Sequence, residues 1–221
     1  MLRRRLLPPS WKIGKLVLIP NPGKPLDSPS AYRPICLLDG CGKLFEKLIT
    51  NKLREHLVGD HEISDNQFGF RRGRSTIGAL ERLKSYVRAT TAGHHVHHKL
   101  VGMLTLDVRN AFNSAPWVAI VEAAKSREVP PGLLSILEDY LSNRVVLVSS
   151  PSSSSDFAHN MSCGVPQGSV LGPELWNLMY DGLLKIKMPE RVHLLAFADD
   201  VAVLATHQIL FVLEEKLDEV Y

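Results

Sequence analysis

Apolar and polar positions along the 221-residue chain fall into short alternating runs and helical stripes. Residues 11–19, Trp-Lys-Ile-Gly-Lys-Leu-Val-Leu-Ile, read as a strand closed by the Pro- and Gly-rich turn at 20–25, and 32–38 is a second extended piece returning from it. Leu44, Phe45, Leu48, Ile49, Leu53 and Leu57 recur at helical spacing and predict an amphipathic helix over 42–57 with a Lys- and Arg-rich outer face. A Gly/Arg loop at 65–75 leads to a helix over 76–88. The run 100–106 has the length of a strand, and Ser114 and Pro116 signal a helix reaching about 126. A further helix over 131–141 precedes a strand at 144–148, and Pro151 with four serines predicts a hairpin tip between Val148 and His159. Pro173 opens a helix carrying Leu175, Trp176, Met179, Tyr180 and Leu183 on one side. Two apolar strands, 192–198 and 201–205, flank an Asp-Asp pair before a final amphipathic helix.

Composition narrows the class: 45% hydrophobic and 22% charged residues describe a globular chain able to bury a core. No run approaches the ~18 apolar residues of a membrane span, and the basic start lacks the ~7 to 15 apolar residues of a secretory signal. Three cysteines without Cys-x-x-Cys spacing support neither a disulfide framework nor a zinc knuckle, so a reducing compartment is expected. The net charge of +3 conceals an asymmetry: residues 1–89 carry 17 basic and 8 acidic side chains, and residues 90–221 carry 9 and 15. A basic half suits a polyanion, whereas an acidic half needs solvent or cations at its carboxylates. Four histidines within 94–98 invite a metal, but with no acidic or sulfur ligand beside them they read as a surface connection.

Two acidic positions stand out. Asp199 and Asp200 sit at a tight hairpin between apolar strands, with no Lys or Arg within seven residues to neutralise them. Asp107 ends the apolar strand at 100–106, where ligands of mixed folds collect. Aspartate is also an ordinary turn and cap residue. The alternative is a hard divalent cation, since Mg²⁺ is held by one or two carboxylates plus substrate phosphates. Only a sheet that sets the two strands side by side can bring the three carboxylates together.

Five motifs then occur in order: Leu18-Ile-Pro-Asn-Pro-Gly-Lys24 with Tyr32-Arg-Pro-Ile-Cys-Leu-Leu38; Asn66-Gln-Phe-Gly-Phe-Arg-Arg-Gly-Arg-Ser-Thr76; Leu106-Asp-Val-Arg-Asn-Ala-Phe-Asn-Ser-Ala115; Gly164-Val-Pro-Gln-Gly-Ser-Val-Leu-Gly-Pro173; and Phe197-Ala-Asp-Asp200. With them the chain resembles the reverse transcriptase domain of non-LTR, LINE-like retrotransposons, nearest to the R1 and jockey-like groups. The resemblance covers almost the whole chain.

The resemblance implies an α+β, right-hand polymerase: a fingers subdomain over 1–99, with an N-terminal tail over 1–10, and a palm over 100–221 built on a β-α-β-β-α-β sheet of the ferredoxin or RRM type. It implies Asp107, Asp199 and Asp200 as catalytic ligands of two Mg²⁺ ions, with Mn²⁺ as an alternative and Val108 in the same metal set. Lys24 and Arg33 match positions that cradle the incoming dNTP triphosphate, and Phe112 matches the aromatic under its sugar. Gln167 and Gly168 would lie against the nucleotide and the template base, and Arg71, Arg72 and Arg74 near backbone phosphates. The partners implied are an RNA template, a DNA primer, dNTPs and the remaining retroelement domains, in the nucleus or cytoplasm.

The sequence also departs from the family pattern. The thumb, the primer-grip hairpin, the lysine-bearing motif after the acidic pair and the endonuclease fall outside these residues, so a truncated piece is expected, able to bind RNA but poor at extension. A non-enzymatic remnant that binds RNA through its basic fingers is the alternative. Another two-metal enzyme, such as a nuclease, would leave Gln167, Phe112 and Arg33 without roles.

Overall fold

A computed structural model describes residues 6–28, 31–91, 99–149 and 156–219. The arginines at 3–5, the histidine tract and the serine-rich hairpin tip lie outside the described residues. The chain divides into two compact units that interleave in sequence, Met1–Glu62 with Asn110–Met179, and Ile63–Arg109 with Tyr180–Tyr221. No helix among the described residues is long and apolar enough to cross a membrane.

The first unit holds a four-stranded sheet. β1 (Ile13–Pro20) pairs antiparallel with β2 (Tyr32–Leu37) and parallel with β4 (Val145–Val148), which pairs antiparallel with β5 (Phe157–Asn160), giving the order β2-β1-β4-β5. β1 starts two residues later than its apolar pattern suggests, because Pro9–Lys12 form a 3₁₀ turn first. That turn brings the Lys12 ammonium, almost wholly buried, to 2.7 Å from the Asp139 carboxylate. A buried cation must be paired in this way or it would cost several kcal/mol (order of magnitude).

Helix α1 (Gly40–His56) is capped by Asp39, whose carboxylate accepts from the Gly42 amide at 2.9 Å. Its buried face is Gly42, Phe45, Glu46, Ile49, Thr50 and Leu53. Leu44 and Leu48, expected in the core, are 66% and 52% exposed. The apolar stripe and the buried stripe are rotated apart because two polar residues, Glu46 and Thr50, are packed inward with satisfied hydrogen bonds. α1 packs on α5 (Pro131–Leu141), and α5 on α4 (Trp117–Ser126), which follows the single turn of α3 (Ala111–Ser114). Leu53, Ile120, Leu137, Leu141, Leu175 and Trp176 form the centre of this core. Each such side chain stabilises the fold by about 1.5–3 kcal/mol through burial.

The second unit is built on an antiparallel three-stranded sheet in the order β3-β7-β6, with β3 at Leu100–Asp107, β6 at Val192–Phe197 and β7 at Asp200–His207. Cross-strand register sorts its residues onto two faces. Gly102 sits where α7 (Leu210–Asp218) packs, and an added Cβ there would lie 2.8 Å from the Leu217 side chain. On the other face α2 (Thr76–Thr91) covers Leu195 and Phe197 with Ala79, Leu83 and Phe68. The run of β3, helices, β6, β7 and α7 supplies the expected β-α-β-β-α-β pattern through its fifth element, and this sheet has three strands among the described residues. Helix α6 (Gly172–Leu184) carries the chain from the first unit into the second.

Candidate active site

Strands β3 and β7 are adjacent, and their register ends on the pair Asp107↔Asp200. Directly opposed residues of an antiparallel pair point to the same face with Cα atoms about 4.5–5.5 Å apart. Two aspartates in such a place repel each other, and a packed sheet does not ordinarily put them there. Phe197 pairs with Asp200 across β6 and β7, so the hairpin loop has two residues, Ala198 and Asp199. The acidic pair therefore straddles the boundary: Asp199 is in the loop and Asp200 is the first residue of the strand.

The electrostatics agree with this crowding. Burial, and then the charges of Asp199 and Asp107, push the Asp200 carboxyl above its ordinary value. Tyr180 feels the same field. Burial and then the charges of Asp199, Asp200 and Asp107 push its phenol up to about 12, and its hydroxyl donates to the Asp199 carbonyl at 3.3 Å. Beside the pair lies a cavity of about 420 Å³ whose walls include Thr105, Ala202, Leu195, Phe197 and Leu83.

Among the described residues no three His, Cys, Asp or Glu side chains close into a ready-made cage. The donor set nonetheless fits Mg²⁺, which prefers hard oxygen, needs only one or two carboxylates, and fills its octahedron with water and substrate phosphate. Val108 follows Asp107 directly at the strand end.

The residues expected at the nucleotide belong to the first unit. Lys24 closes a turn in which its amide donates to the Asn21 carbonyl at 3.4 Å and Gly23 has φ +80°. Arg33 lies opposite Ile19 in the same hairpin and is exposed. The turn at Pro166, Gln167 and Gly168 is fixed to that hairpin: the Cys36 amide donates to the Gln167 carbonyl at 2.8 Å. Gly168 has φ +115°, and an added Cβ would stand 2.8 Å from the Cys36 carbonyl oxygen. At the other end of the motif the Val165 amide donates to the Phe112 carbonyl at 2.7 Å, and the Gly164 amide to that of Ala115 at 2.8 Å. The Phe112 ring stacks on Trp176 with centroids 5.6 Å apart. One loop thus joins the strand of Arg33 to the turn of Phe112.

A buried carboxylate that the sequence did not single out holds this loop. Glu46, 2% exposed, accepts from the Tyr140 hydroxyl at 2.9 Å, the Ser169 hydroxyl at 3.1 Å and the Val170 amide at 2.6 Å. The Ser169 hydroxyl in turn accepts from the Gly172 amide at 2.8 Å, at the start of α6.

The Gly/Arg loop lies in the second unit. Arg74 pairs with Asp65 and stacks over the Phe68 ring at 5.1 Å. Arg71 donates to the Ser64 carbonyl at 2.7 Å, and Arg72 is exposed. Asp181, fully buried, accepts from the Ser64 amide at 2.6 Å and anchors the start of this segment. In the sequence pattern Glu46 reads as an ordinary helix-face residue, Tyr180 as one of the apolar stripe of its helix, and Gln67 as one position of the motif at 66–76.

A mixed α+β chain that gathers three aspartates at one end of an antiparallel sheet has the makings of a polymerase palm, and solved structures agree on the fold. A telomerase of Candida tropicalis, solved with the TWJ fragment of telomeric RNA, superposes with a TM-score of 0.67 at 14% identity, over 97% of this chain and 38% of that one. A telomerase of Candida albicans, solved with the same fragment, gives 0.66 at 13% identity, over 99% of this chain and 39% of that one. The fold is that of a right-hand polymerase. Residues 19–220 match the family described as reverse transcriptase (RNA-dependent DNA polymerase), and the chain belongs to that family. Its relatives are RNA-directed DNA polymerases of non-LTR retrotransposons. The probable enzyme from transposon BS of Drosophila melanogaster is 32% identical over 209 residues, 92% of this chain and 22% of that protein. The enzyme from the mobile element jockey of the same species is 30% identical over 217 residues, 96% of this chain and 23% of that protein. The chain spans about a fifth of the length of these relatives.

Proposed function

We propose that this chain is the catalytic core of an RNA-directed DNA polymerase, adding dNTPs to the 3′-hydroxyl of a DNA primer on an RNA template. The observation that carries the reading is the Asp107↔Asp200 pairing, with Asp199 in the adjoining turn, a concentration of negative charge that pays off only if cations enter. Asp107, Asp199 and Asp200 would hold two Mg²⁺ ions, or Mn²⁺ in their place, with Val108 in the same set. When bound, the ions acidify the attacking hydroxyl and neutralise the triphosphate and leaving pyrophosphate. What remains for the protein is positioning and charge.

Lys24 meets the triphosphate as a point charge and Arg33 as a bidentate fork. Phe112 supports the sugar, and Gln167, on the turn that Gly168 makes possible, lies against the nucleotide and the template base. Arg71, Arg72 and Arg74 offer guanidinium groups to backbone phosphates, with Arg72 the most exposed. Residues 1–99 serve as fingers and 100–221 as palm. The other retroelement domains, thumb and endonuclease, act with them in the full-length protein, in the nucleus or cytoplasm.

Extension of an oligo(dT) primer on poly(rA) by the full-length protein, with and without Mg²⁺, tests the reading. Metal-dependent incorporation of dTTP is expected. Binding of the primed template with no incorporation at any divalent-ion concentration would sink it.

A further inference from the structure

The motif at residues 66–70 has no part in the chemistry above, yet it is hydrogen-bonded to the strand and turn that carry the acidic pair. The Phe68 amide donates to the Ala196 carbonyl at 2.8 Å and the Ala196 amide to the Asn66 carbonyl at 2.8 Å, so the segment lies parallel along the free edge of β6. Two residues beyond Ala196, in the hairpin loop, a side chain takes over from the backbone. The Gln67 carboxamide, 0% exposed, accepts from the Ala198 amide at 3.0 Å and donates to the Ala198 carbonyl at 3.2 Å. Its oxygen also accepts from the Gly69 amide at 2.9 Å.

Ala198 needs such a partner. It is the first residue of the two-residue loop and has φ +60°, whereas Asp199 is not among the positive-φ residues. That sign pattern is the one a type II′ hairpin turn imposes, and it ordinarily takes glycine at this position. An alanine there is strained and stays only where its surroundings dictate the conformation. Gly69 closes the arrangement from the other side. An added Cβ would stand 2.0 Å from the Ala198 nitrogen, so only a bare backbone fits against the turn.

We infer that Gln67 is a positioning residue, which holds the Ala198 peptide in its left-handed conformation and thereby aims Asp199 and Asp200 at the metal ions. It touches neither substrate nor metal and acts through the turn. Asp181 fixes the start of the segment by accepting from the Ser64 amide, and Arg71, donating to the carbonyl of the same Ser64, fixes its far side. The inference rests on the polymerase reading for what the turn is for, but not for how it is held.

The test uses the 221-residue chain and Mn²⁺ as probe, read by its electron paramagnetic resonance signal. Gln67→Met keeps the volume of the side chain and removes all three bonds. It is expected to weaken Mn²⁺ binding by about 10- to 100-fold, the range found when a group that orients metal ligands is lost. Ala198→Gly relaxes the turn, so the double variant Gln67→Met with Ala198→Gly should return to within about threefold of wild type, whatever the thermal midpoint does. A merely structural role would lower the thermal midpoint and leave Mn²⁺ affinity alone, and that result overturns the inference. So does a double variant as weak as Gln67→Met. If Gln67→Met does not fold, Gln67→Glu, which keeps the accepted bonds and lacks the donor to the Ala198 carbonyl, carries the same comparison.

Asp199→Asn separates the two readings. If it binds Mn²⁺ as tightly as wild type, the metal reading fails, and hydrogen exchange decides the clamp alone. Exchange at the Ala198 amide should then accelerate at least ~10-fold in the Gln67 variant relative to the Val203 amide of the same sheet. Equal exchange at both amides overturns the clamp.

Discussion

Removing the Glu46 carboxylate tests whether the loop bearing Gln167 is held from below. Glu46 lies at 2% exposure and receives the Val170 amide at 2.6 Å together with two hydroxyls. Glu46→Gln preserves the shape and one acceptor oxygen. The bonds from Val170 and Ser169 then pass from a charged to a neutral acceptor at about 1 kcal/mol each, so a loss of ~2 kcal/mol is expected. Glu46→Leu strands the Val170 amide and leaves the Tyr140 hydroxyl only that of Ser169, which still accepts from the Gly172 amide, and a loss of about 3–5 kcal/mol follows. For a chain of this size 2 kcal/mol lowers the melting temperature by roughly 4–8 °C. Tryptophan fluorescence is the assay, because Trp11, Trp117 and Trp176 all belong to the first unit, and the Trp117 indole donates to the Gly164 carbonyl at 2.7 Å in the same loop. A Glu46→Gln protein within about 0.5 kcal/mol of wild type, or a Leu variant no weaker than the Gln one, refutes the reasoning.

Gly168→Ala forces a Cβ to 2.8 Å from the Cys36 carbonyl at a φ that alanine avoids, and should cost roughly 1–3 kcal/mol by urea unfolding while loosening the Cys36 to Gln167 bond. A neutral substitution would mean the turn is not held against β2. The Tyr180 phenol keeps its proton to about 12, whereas an unfolded tyrosine releases it near 10, so stability falls as pH rises between those values. In Asp199→Asn one of the charges that raise it is gone and the Tyr180 titration, followed by NMR of the ring carbons, should move down; no movement would place the Asp199 charge elsewhere. In the full-length protein Arg33→Ala should lower kcat/KM for dNTP by ~10² or more, and unchanged kinetics would remove Arg33 from the nucleotide site.

The order and type of the main elements follow from hydrophobic period and turn chemistry alone, and so does the place of Asp107 at the end of its strand. What the pattern hid has a common physical cause. The apolar stripe of the helix places Leu44 and Leu48 inward and gives no sign of Glu46, a charged residue of the kind that reads as solvent-facing, whereas hydrogen bonds from residues more than ninety positions away hold Glu46 inside. Gln67 is equally invisible, because its partner Ala198 is 131 residues distant and the strain it restrains belongs to a backbone angle, not to a residue type. Periodicity reports which face is apolar. It says nothing of which polar group a distant loop will need.

Single-turnover incorporation of dTTP by the full-length protein carrying Asp107→Asn tests the central claim most directly. The account expects primed poly(rA) to bind as in wild type while the chemical step slows by about 10³-fold or more, because a ligand of the charge-stabilising centre is gone. Incorporation within about tenfold of the wild-type rate would contradict it.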